Sequence, residues 1–185
     1  MGQFVASLLI SVDGFDGNDV FAPTSEEHQV FNDLLARTEG VVFDRENYDL
    51  LVPFWDEVDV SDPALPEADE AEREFAEIFR TKRRYVVSDS LGQVDDLATL
   101  IDGDPIAPLR ELKANSGDLM VAAGPELLST LLDHDLVDEM EILMLPIVLG
   151  EGTRHIGLLS RKQPLDLIEA RALPSGAVAL RYRVT

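Results

Sequence analysis

Residues 118–128 read Asp-Leu-Met-Val-Ala-Ala-Gly-Pro-Glu-Leu-Leu, and this stretch decides the fold. Its apolar first half has no helical period and stops at Gly124-Pro125, after which apolar residues recur at helical spacing. We therefore predict a buried central strand, a tight turn and the first turn of a helix. The free N–H groups at such a helix start favour a phosphate or pyrophosphate. The alternative is a plain strand-to-helix junction, because no full glycine-rich fingerprint is present.

The remaining elements follow from apolar patterning and turn residues. Predicted strands span 4–12, 41–43, 84–88, 98–101 and 136–150. Predicted helices span 24–38, 67–80, 105–114 and 125–134, and a further helical segment follows the strand at 41–43 and its polar residues 44–48. Residues 165–172 and 177–184 predict a closing hairpin that turns at 174–176, whereas the Pro- and Asp-rich 52–66 predicts a loop anchored by Phe54 and Trp55. Strands that alternate with helices, followed by antiparallel strands, predict an α/β fold with a mixed sheet and helices on its faces.

Composition limits the class of protein. A chain of 185 residues that is 45% hydrophobic can form one continuous core, so we expect a single domain over 1–185. No apolar run is long enough to span a bilayer and the first residues lack a basic segment, so we expect a cytoplasmic protein. Cysteine is absent and the three histidines are scattered, so no metal site is expected.

The charge balance excludes a further class of partner. Thirty-six acidic residues against 15 basic ones give a net charge of −21. A surface of this charge repels nucleic acid and anionic membranes. We therefore expect neither as a partner.

A set of short motifs, taken in order, carries a family resemblance. The motifs are Ser-Val-Asp-Gly (11–14), Glu-Glu-His-x-x-Phe-Asn-Asp (26–33), Asp-Arg-x-x-Tyr (44–48), Tyr-Val-Val-Ser (85–88), Ala-Gly-Pro-Glu-Leu-Leu (123–128), Leu-Val-Asp-Glu (136–139) and Pro-Ile-Val-Leu-Gly-Glu-Gly (146–152). Together they resemble the bacterial and archaeal dihydrofolate reductase-like family, which shares its fold with the reductase domain of riboflavin biosynthesis. The resemblance implies a mainly parallel central sheet with helices on both faces and a C-terminal antiparallel hairpin.

The resemblance also implies a nicotinamide-dependent reductase and assigns its site. The implied cofactor-binding residues are Asp13, Gly14, Arg45, Ser88, Asp89, Ser90, Ala123, Gly124, Pro125, Glu126 and Leu127. The implied substrate is a small heterocycle, of the pterin or ribityl-pyrimidine kind, held near Asn32 and Tyr48. Glu27 and His28 are the candidate proton donors for hydride transfer to a C=N or C=O group.

Several of these residues have a structural alternative. Glu27 stands three positions after Thr24, which is the spacing of a capping box. His28 is either a solvated side chain or a proton donor, and Asn32 and Tyr48 either bind substrate or join loops. Arg45 is either a phosphate ligand or a salt-bridge partner, and Trp55 is expected to be a packing anchor.

Three departures from the family pattern fall in the cofactor site. Relatives usually have Gly-Arg at 44–45, often a basic residue at 89, and Gly-Gly at 123–124, where this chain has Asp44, Asp89 and Ala123. Because a carboxylate repels a 2′-phosphate, we expect NADH rather than NADPH to be favoured if either binds. A reductase, a binding protein without turnover, and a structural or regulatory dimer all remain open. We also expect a homodimer, from the apolar 140–149 stretch and the hairpin.

Overall fold

The computed structural model describes residues 2–18, 23–57 and 70–185, and these form one eight-stranded sheet flanked by helices. The elements in chain order are β1 (Phe4–Ser11), α1 (Ser25–Arg37), β2 (Gly40–Asp44), α2 (Arg45–Glu57), α3 (Glu70–Phe79), β3 (Arg83–Val87), β4 (Ala98–Ile101), α4 (Ile106–Asn115), β5 (Leu119–Ala122), α5 (Pro125–Asp133), β6 (Glu139–Leu145), β7 (Leu165–Ala172) and β8 (Val178–Val184).

The strand order across the sheet is β4-β3-β2-β5-β1-β6-β8-β7. Strands β1 to β6 run parallel, and β8 runs antiparallel to both β6 and β7. The mainly parallel sheet and the C-terminal hairpin are therefore confirmed. Strand β5 lies between β1 and β2, with Leu119 opposite both Phe4 and Gly40, so its carboxyl end is at the middle of the parallel sheet.

Each face of the sheet has its own core, because side chains alternate along a strand. On one face Val5 of β1 packs in a cluster with residues of α1, α2 and α3, and on the other Phe4 packs in a cluster with residues of α4 and α5. The four residues of β5 are all buried, as expected for a strand covered on both faces. Helices on both faces are thus confirmed.

Helix α2 corrects the loop predicted over 52–66. The helix continues to Glu57 with Pro53 inside it, and residues 58–66 lie outside the described residues, as do residues 67–69 of the helix predicted over 67–80. Proline removes one helical hydrogen bond, but Val52 is buried and Trp55 packs against Phe75, so core contacts favour the helix. Trp55 is an anchor as predicted, whereas Phe54 is mostly exposed and is not.

The predicted strand over 136–150 is also too long. Strand β6 ends at Leu145, and Pro146 stands in the bend that follows, because proline cannot donate to a neighbouring strand. Beyond it, Val148 is exposed. The residues after Pro146 therefore form a loop at the carboxyl end of β6.

Candidate cofactor and substrate site

The junction between β5 and α5 has the predicted strand, turn and helix. Gly124 is the N-cap residue, with extended backbone (φ −68°, ψ 178°), and Pro125 occupies the first turn. Ala123 and Leu127 are buried in the core, so only their backbone is available at this edge. The N–H groups of Glu126 and Leu127 belong to the first turn, where helices present donors to anions.

The carboxylate of Asp44 joins the starts of two helices. Its Oδ1 accepts hydrogen bonds from the backbone N–H and the side-chain amide of Asn47, at 2.9 and 2.8 Å, which caps α2. Its Oδ2 accepts the backbone N–H of Gly124 at 2.6 Å. A Cβ on Gly124 would lie 2.9 Å from that same oxygen. The glycine therefore makes room for Asp44, and its own backbone conformation is one that any residue adopts.

Arg45 lies beside the end of β3. Its Nη1 donates to Ser90 Oγ at 2.6 Å, and its Nε lies 3.1 Å from Asp49 Oδ2 in an exposed ion pair. Ser88 Oγ accepts the backbone N–H groups of Ser90 and Leu91, which holds the turn after β3. The structure thus brings Arg45 and Ser90 together, and the salt-bridge alternative for Arg45 is also present.

Asp89 is exposed and joins two strand ends. Its Oδ1 accepts the backbone N–H of Gly103 at 2.8 Å, in the turn that follows β4. Because β3 and β4 form the edge of the sheet farthest from β1, Asp89 is at the outer side of the carboxyl edge. A place for Asp89 beside an adenosine ribose, which the resemblance implies, remains a prediction.

Asp13 connects the loop after β1 to the loop after β6 by hydrogen bonds. It accepts hydrogen bonds from Ser11 Oγ at 2.7 Å and from the backbone N–H groups of Leu149 and Gly150 at 3.1 and 2.8 Å. These donors, the serine first, lower the pKa of Asp13 to about 2, so the carboxylate remains ionised at physiological pH. Gly14 follows with a φ of +82°, a left-handed conformation that favours glycine.

A second contact between the same two loops was not predicted. The Asp16 N–H donates to Thr153 O at 2.8 Å, Arg154 lies over the Phe15 ring at 4.9 Å, and His155 Nδ1 is 3.1 Å from Asp16 Oδ2. Burial opposes ionisation of Asp16, but His155 and a backbone N–H outweigh it and lower its pKa. The only signal in the sequence was that each loop directly follows a predicted strand.

Glu27 forms the predicted capping box. Thr24 Oγ1 accepts the Glu27 N–H, and Glu27 Oε2 accepts the Thr24 N–H at 2.9 Å. The second oxygen, Oε1, accepts the Ser175 hydroxyl at 2.6 Å, which ties α1 to the turn of the C-terminal hairpin. Both oxygens are therefore engaged within the protein, and the side chain is buried. A role as general acid remains a prediction.

His28 is not a solvated side chain, contrary to one of the two expectations for it. It is 6% exposed, and its ring makes edge contacts with Trp55 at 5.6 Å and Phe75 at 5.3 Å. Because α1 packs against α3, the first turn of α1 is covered by the aromatic residues of α2 and α3. The ring belongs to the interface of three helices.

Asn32 and Tyr48 are also held inside the protein. The Asn32 amide donates to Ala71 O at 2.8 Å and to Glu74 at 3.0 Å, which joins α1 to α3. The Tyr48 hydroxyl donates to Asp95 Oδ2 at 2.8 Å and accepts the Asp95 N–H at 3.1 Å. These contacts support the structural alternative for both residues, while substrate binding remains a prediction.

A cleft of about 300 Å³ lies away from this edge, between α1 and the hairpin. Its charges are largely paired: Arg37 lies 2.6 Å from Glu141, and Arg181 lies 2.8 Å from Glu139. Burial raises the pKa of Glu141 even with Arg37 beside it. We assign no ligand to the cleft, because two of its arginines, Arg37 and Arg181, already have carboxylate partners.

The described residues include neither a metal-binding cluster nor a membrane-spanning helix. Among these residues, no group of three or more His, Asp or Glu side chains is arranged to hold a metal ion. Within the same ranges, no helix has the length and apolar character needed to cross a membrane.

The sheet order and the flanking helices define an α/β fold of the dihydrofolate reductase type. The chain belongs to the RibD C-terminal domain family, whose model matches residues 4–179. The resemblance inferred from the ordered motifs is therefore confirmed.

Individual proteins are similar to this chain in sequence or in fold. The uncharacterized protein YyaP of Bacillus subtilis (strain 168) is 25% identical over 186 residues, covering 97% of this chain and 94% of that protein. A putative riboflavin biosynthesis protein from Shewanella sp. PV-4 superposes with a TM-score of 0.76 at 21% identity, over 99% of both chains. Dihydrofolate reductase from Enterococcus faecalis, complexed with NADP(H), superposes with a TM-score of 0.64 at 10% identity, over 100% of this chain and 97% of that one.

Proposed function

We propose that this protein is a nicotinamide-dependent reductase that transfers hydride to a small heterocyclic substrate of the ribityl-pyrimidine or pterin kind. One observation carries the proposal: four separate segments meet at the carboxyl edge of the parallel strands. They are Asp13–Gly14 after β1, Arg45 after β2, Ser88–Ser90 after β3 and Ala123–Leu127 after β5. Open α/β sheets bind ligands at this edge. The family and the NADP(H) complex of the Enterococcus faecalis enzyme support the cofactor class.

The chain offers part of what a dinucleotide needs. The N–H groups of Glu126 and Leu127 and the guanidinium of Arg45 would hold phosphate oxygens, and Ser88 and Ser90 would lie toward the ribose. Gly124 N–H does not fit this role while Asp44 accepts its hydrogen bond. When bound, the cofactor supplies the hydride; the protein orients the reactants and keeps Asp13–Gly14 in place through the loop after β6.

The proton donors in this proposal are Glu27 and His28, with Asn32 and Tyr48 on the substrate side. Each of these side chains is buried and makes contacts within the protein. Glu27 would reach a substrate only through a movement that frees its Oε1 from the Ser175 hydroxyl. A substrate that binds without such movement would take its proton from water.

A second function is favoured by one specific contact. The hydrogen bond from Gly124 to Asp44 takes a donor that an anionic cofactor would use. This contact supports a non-catalytic, dimeric binding or regulatory protein that keeps the fold with a degraded cofactor site. NADPH and NADH oxidation, measured by nicotinamide absorbance with pterin and ribityl-pyrimidine acceptors, separates the two functions. Turnover supports the reductase, whereas binding without turnover supports the alternative.

Cofactor choice gives a first prediction. We expect NADH to bind more tightly than NADPH, or both to bind weakly, because the exposed Asp89 carboxylate would face a 2′-phosphate with like charge. After screening, the penalty is roughly ten- to thirtyfold in affinity. Fluorescence titration with both cofactors measures it.

The substitution Asp89→Arg should shift the preference toward NADPH, since guanidinium pairs with phosphate. Asp102→Arg, in the exposed turn after β4, is the matched control for a charge added nearby. Tight NADPH binding by the parent protein, with NADH much weaker, would show that Asp89 does not face the ribose.

Assembly gives a second prediction, that of a homodimer. All eight residues of the edge strand β7 are exposed, including the apolar side chains of Leu165, Leu167 and Ile168. An apolar edge strand is the kind of surface that a second copy covers. Light scattering should give twice the monomer mass.

The substitution Leu167→Lys should shift the protein toward monomer. Leu50→Lys, on α2, is a matched control, because Leu50 and Leu167 are both 58% exposed. A monomeric parent protein at both low and high salt would contradict the prediction.

A further inference from the structure

Asp44 does more than cap the helix that it begins. Capping α2 uses Oδ1, which accepts the N–H of Asn47 in the first turn. The other oxygen, Oδ2, reaches across to the start of a different helix and accepts the N–H of Gly124 at 2.6 Å. Strands β2 and β5 are parallel neighbours, so the two helix starts lie side by side and one carboxylate serves both.

A carboxylate in this position acts as an anion supplied by the chain itself. Helix N-termini carry partial positive charge and stabilise anions, whether these come from a ligand or from a side chain. An incoming phosphate would have to remove Oδ2 from Gly124 N–H and would then meet the negative charge of Asp44. Both effects weaken the binding of phosphate-bearing ligands at the start of α5.

The lack of a side chain at Gly124 supports the same conclusion. A Cβ at this position would lie 2.9 Å from Asp44 Oδ2, which is closer than Cβ atoms are found in proteins, although the glycine backbone is ordinary. The absence of a side chain at 124 therefore admits the carboxylate. Asp44 and Gly124 are thus sterically complementary. The Gly124 N–H is the first donor of α5, and its hydrogen bond to Asp44 makes it unavailable to a ligand.

We propose that Asp44 is the specificity-determining residue of this edge: its carboxylate occupies the anion position between α2 and α5 and selects against ligands that place a phosphate there. The inference rests on the proposed function in taking a nicotinamide dinucleotide as that ligand. It goes further in assigning to one residue a penalty against phosphate at this edge, so neutralising that residue should raise the affinity for phosphate-bearing ligands.

The test is a binding titration of Asp44→Asn with NADPH, NADH and inorganic pyrophosphate, followed by calorimetry and nicotinamide fluorescence. Asparagine keeps an oxygen that can cap α2, loses the charge, and leaves Gly124 N–H available if its oxygen stays on Asn47. We expect affinity for all three probes to rise about tenfold or more over the parent protein.

Two further variants make the result specific. Glu46→Gln removes the same unit of charge from an exposed side chain in the first turn of α2, and it should change affinity by no more than about twofold. Asp44→Ser also caps α2 and is neutral but shorter, and it should show the same gain as Asp44→Asn. Thermal unfolding shows whether each variant is folded. If one of the two Asp44 variants does not fold, binding by the other one tests the inference.

The outcomes separate this inference from the proposed function. A gain in pyrophosphate and dinucleotide binding in the Asp44 variants, absent from Glu46→Gln, supports the inference even if no acceptor is ever reduced. Equal or weaker binding in folded Asp44 variants overturns it, as does an absence of detectable binding in those variants. An equal gain in Glu46→Gln also overturns it, because general charge would then be the cause. Turnover by the parent protein bears only on the proposed function.

Discussion

Replacing Arg84 with alanine is expected to lower the free energy of unfolding by about 3 kcal/mol, the effect of breaking a buried charge network. Arg84 is 2% exposed, although it is charged. Its two Nη atoms donate to the Asp56 carboxylate at 2.7 and 2.6 Å, and Nη1 also donates to Asp95 at 2.9 Å. The guanidinium lies 5.2 Å from the centre of the Phe79 ring. The side chain therefore joins α2, α3 and the segment before β4.

The electrostatics of Arg84 agree with this role. Burial alone would lower its pKa, but the hydrogen bonds and charges of Asp56 and Asp95 outweigh burial and raise the pKa. Urea unfolding measures the loss, with Arg83→Ala as a control, since Arg83 is the exposed neighbour on β3 and should change stability by less than about 0.5 kcal/mol. Equal stability of the two variants would show that the network contributes nothing net.

Gly124→Val is expected to destabilise the protein by about 1 to 3 kcal/mol and to disturb the edge where α5 begins. The cause is steric: a Cβ would lie 2.9 Å from Asp44 Oδ2, and the carboxylate would leave Gly124 N–H. Gly92→Val is the control, because a Cβ at that glycine meets nothing within 4 Å. Chemical unfolding of both variants measures the difference.

A double-mutant cycle identifies the partner of the added side chain. In an Asp44→Ala background the carboxylate is absent, so the additional loss caused by Gly124→Val should become smaller than in the parent background. Additive losses would mean that another contact, and not Asp44, excludes a side chain at 124. The cycle therefore tests the contact itself, independently of any ligand.

Local patterns predicted most of the elements because each pattern needs only neighbouring residues. The Gly124-Pro125 break, the Thr24 and Glu27 capping box and the hairpin turn are all present as predicted. Helix α2 was missed from Val52 onward because Pro53 is locally a helix breaker. The contacts of Val52 and Trp55 with distant residues, which favour the helix, are not visible in the local pattern.

The sequence predicted which site residues follow the ends of strands. It did not predict which of these residues contact one another. Sequence patterns show that Asp44 and Gly124 each follow a strand, yet they do not show that β5 lies beside β2. The same holds for Glu27 with Ser175 and for Asp16 with His155, which are far apart in the chain. The contacts of a side chain such as His28 are made with residues that are distant in sequence and that only folding brings near. They are therefore not visible in the local sequence.

The position of β1 in the sheet has a consequence for how the chain folds during synthesis. Its two neighbours, β5 and β6, are both made late, and Gln3 and Asp118, which hydrogen-bond beside β1, are 115 positions apart. At roughly 5 to 20 residues per second, the first strand waits on the order of 10 s for a partner. The length of this loop adds little to the free-energy cost of folding, since each doubling of loop length adds about 0.6 kcal/mol. The delay instead leaves an apolar strand unpaired in the nascent chain, where a chaperone or a second nascent chain can reach it.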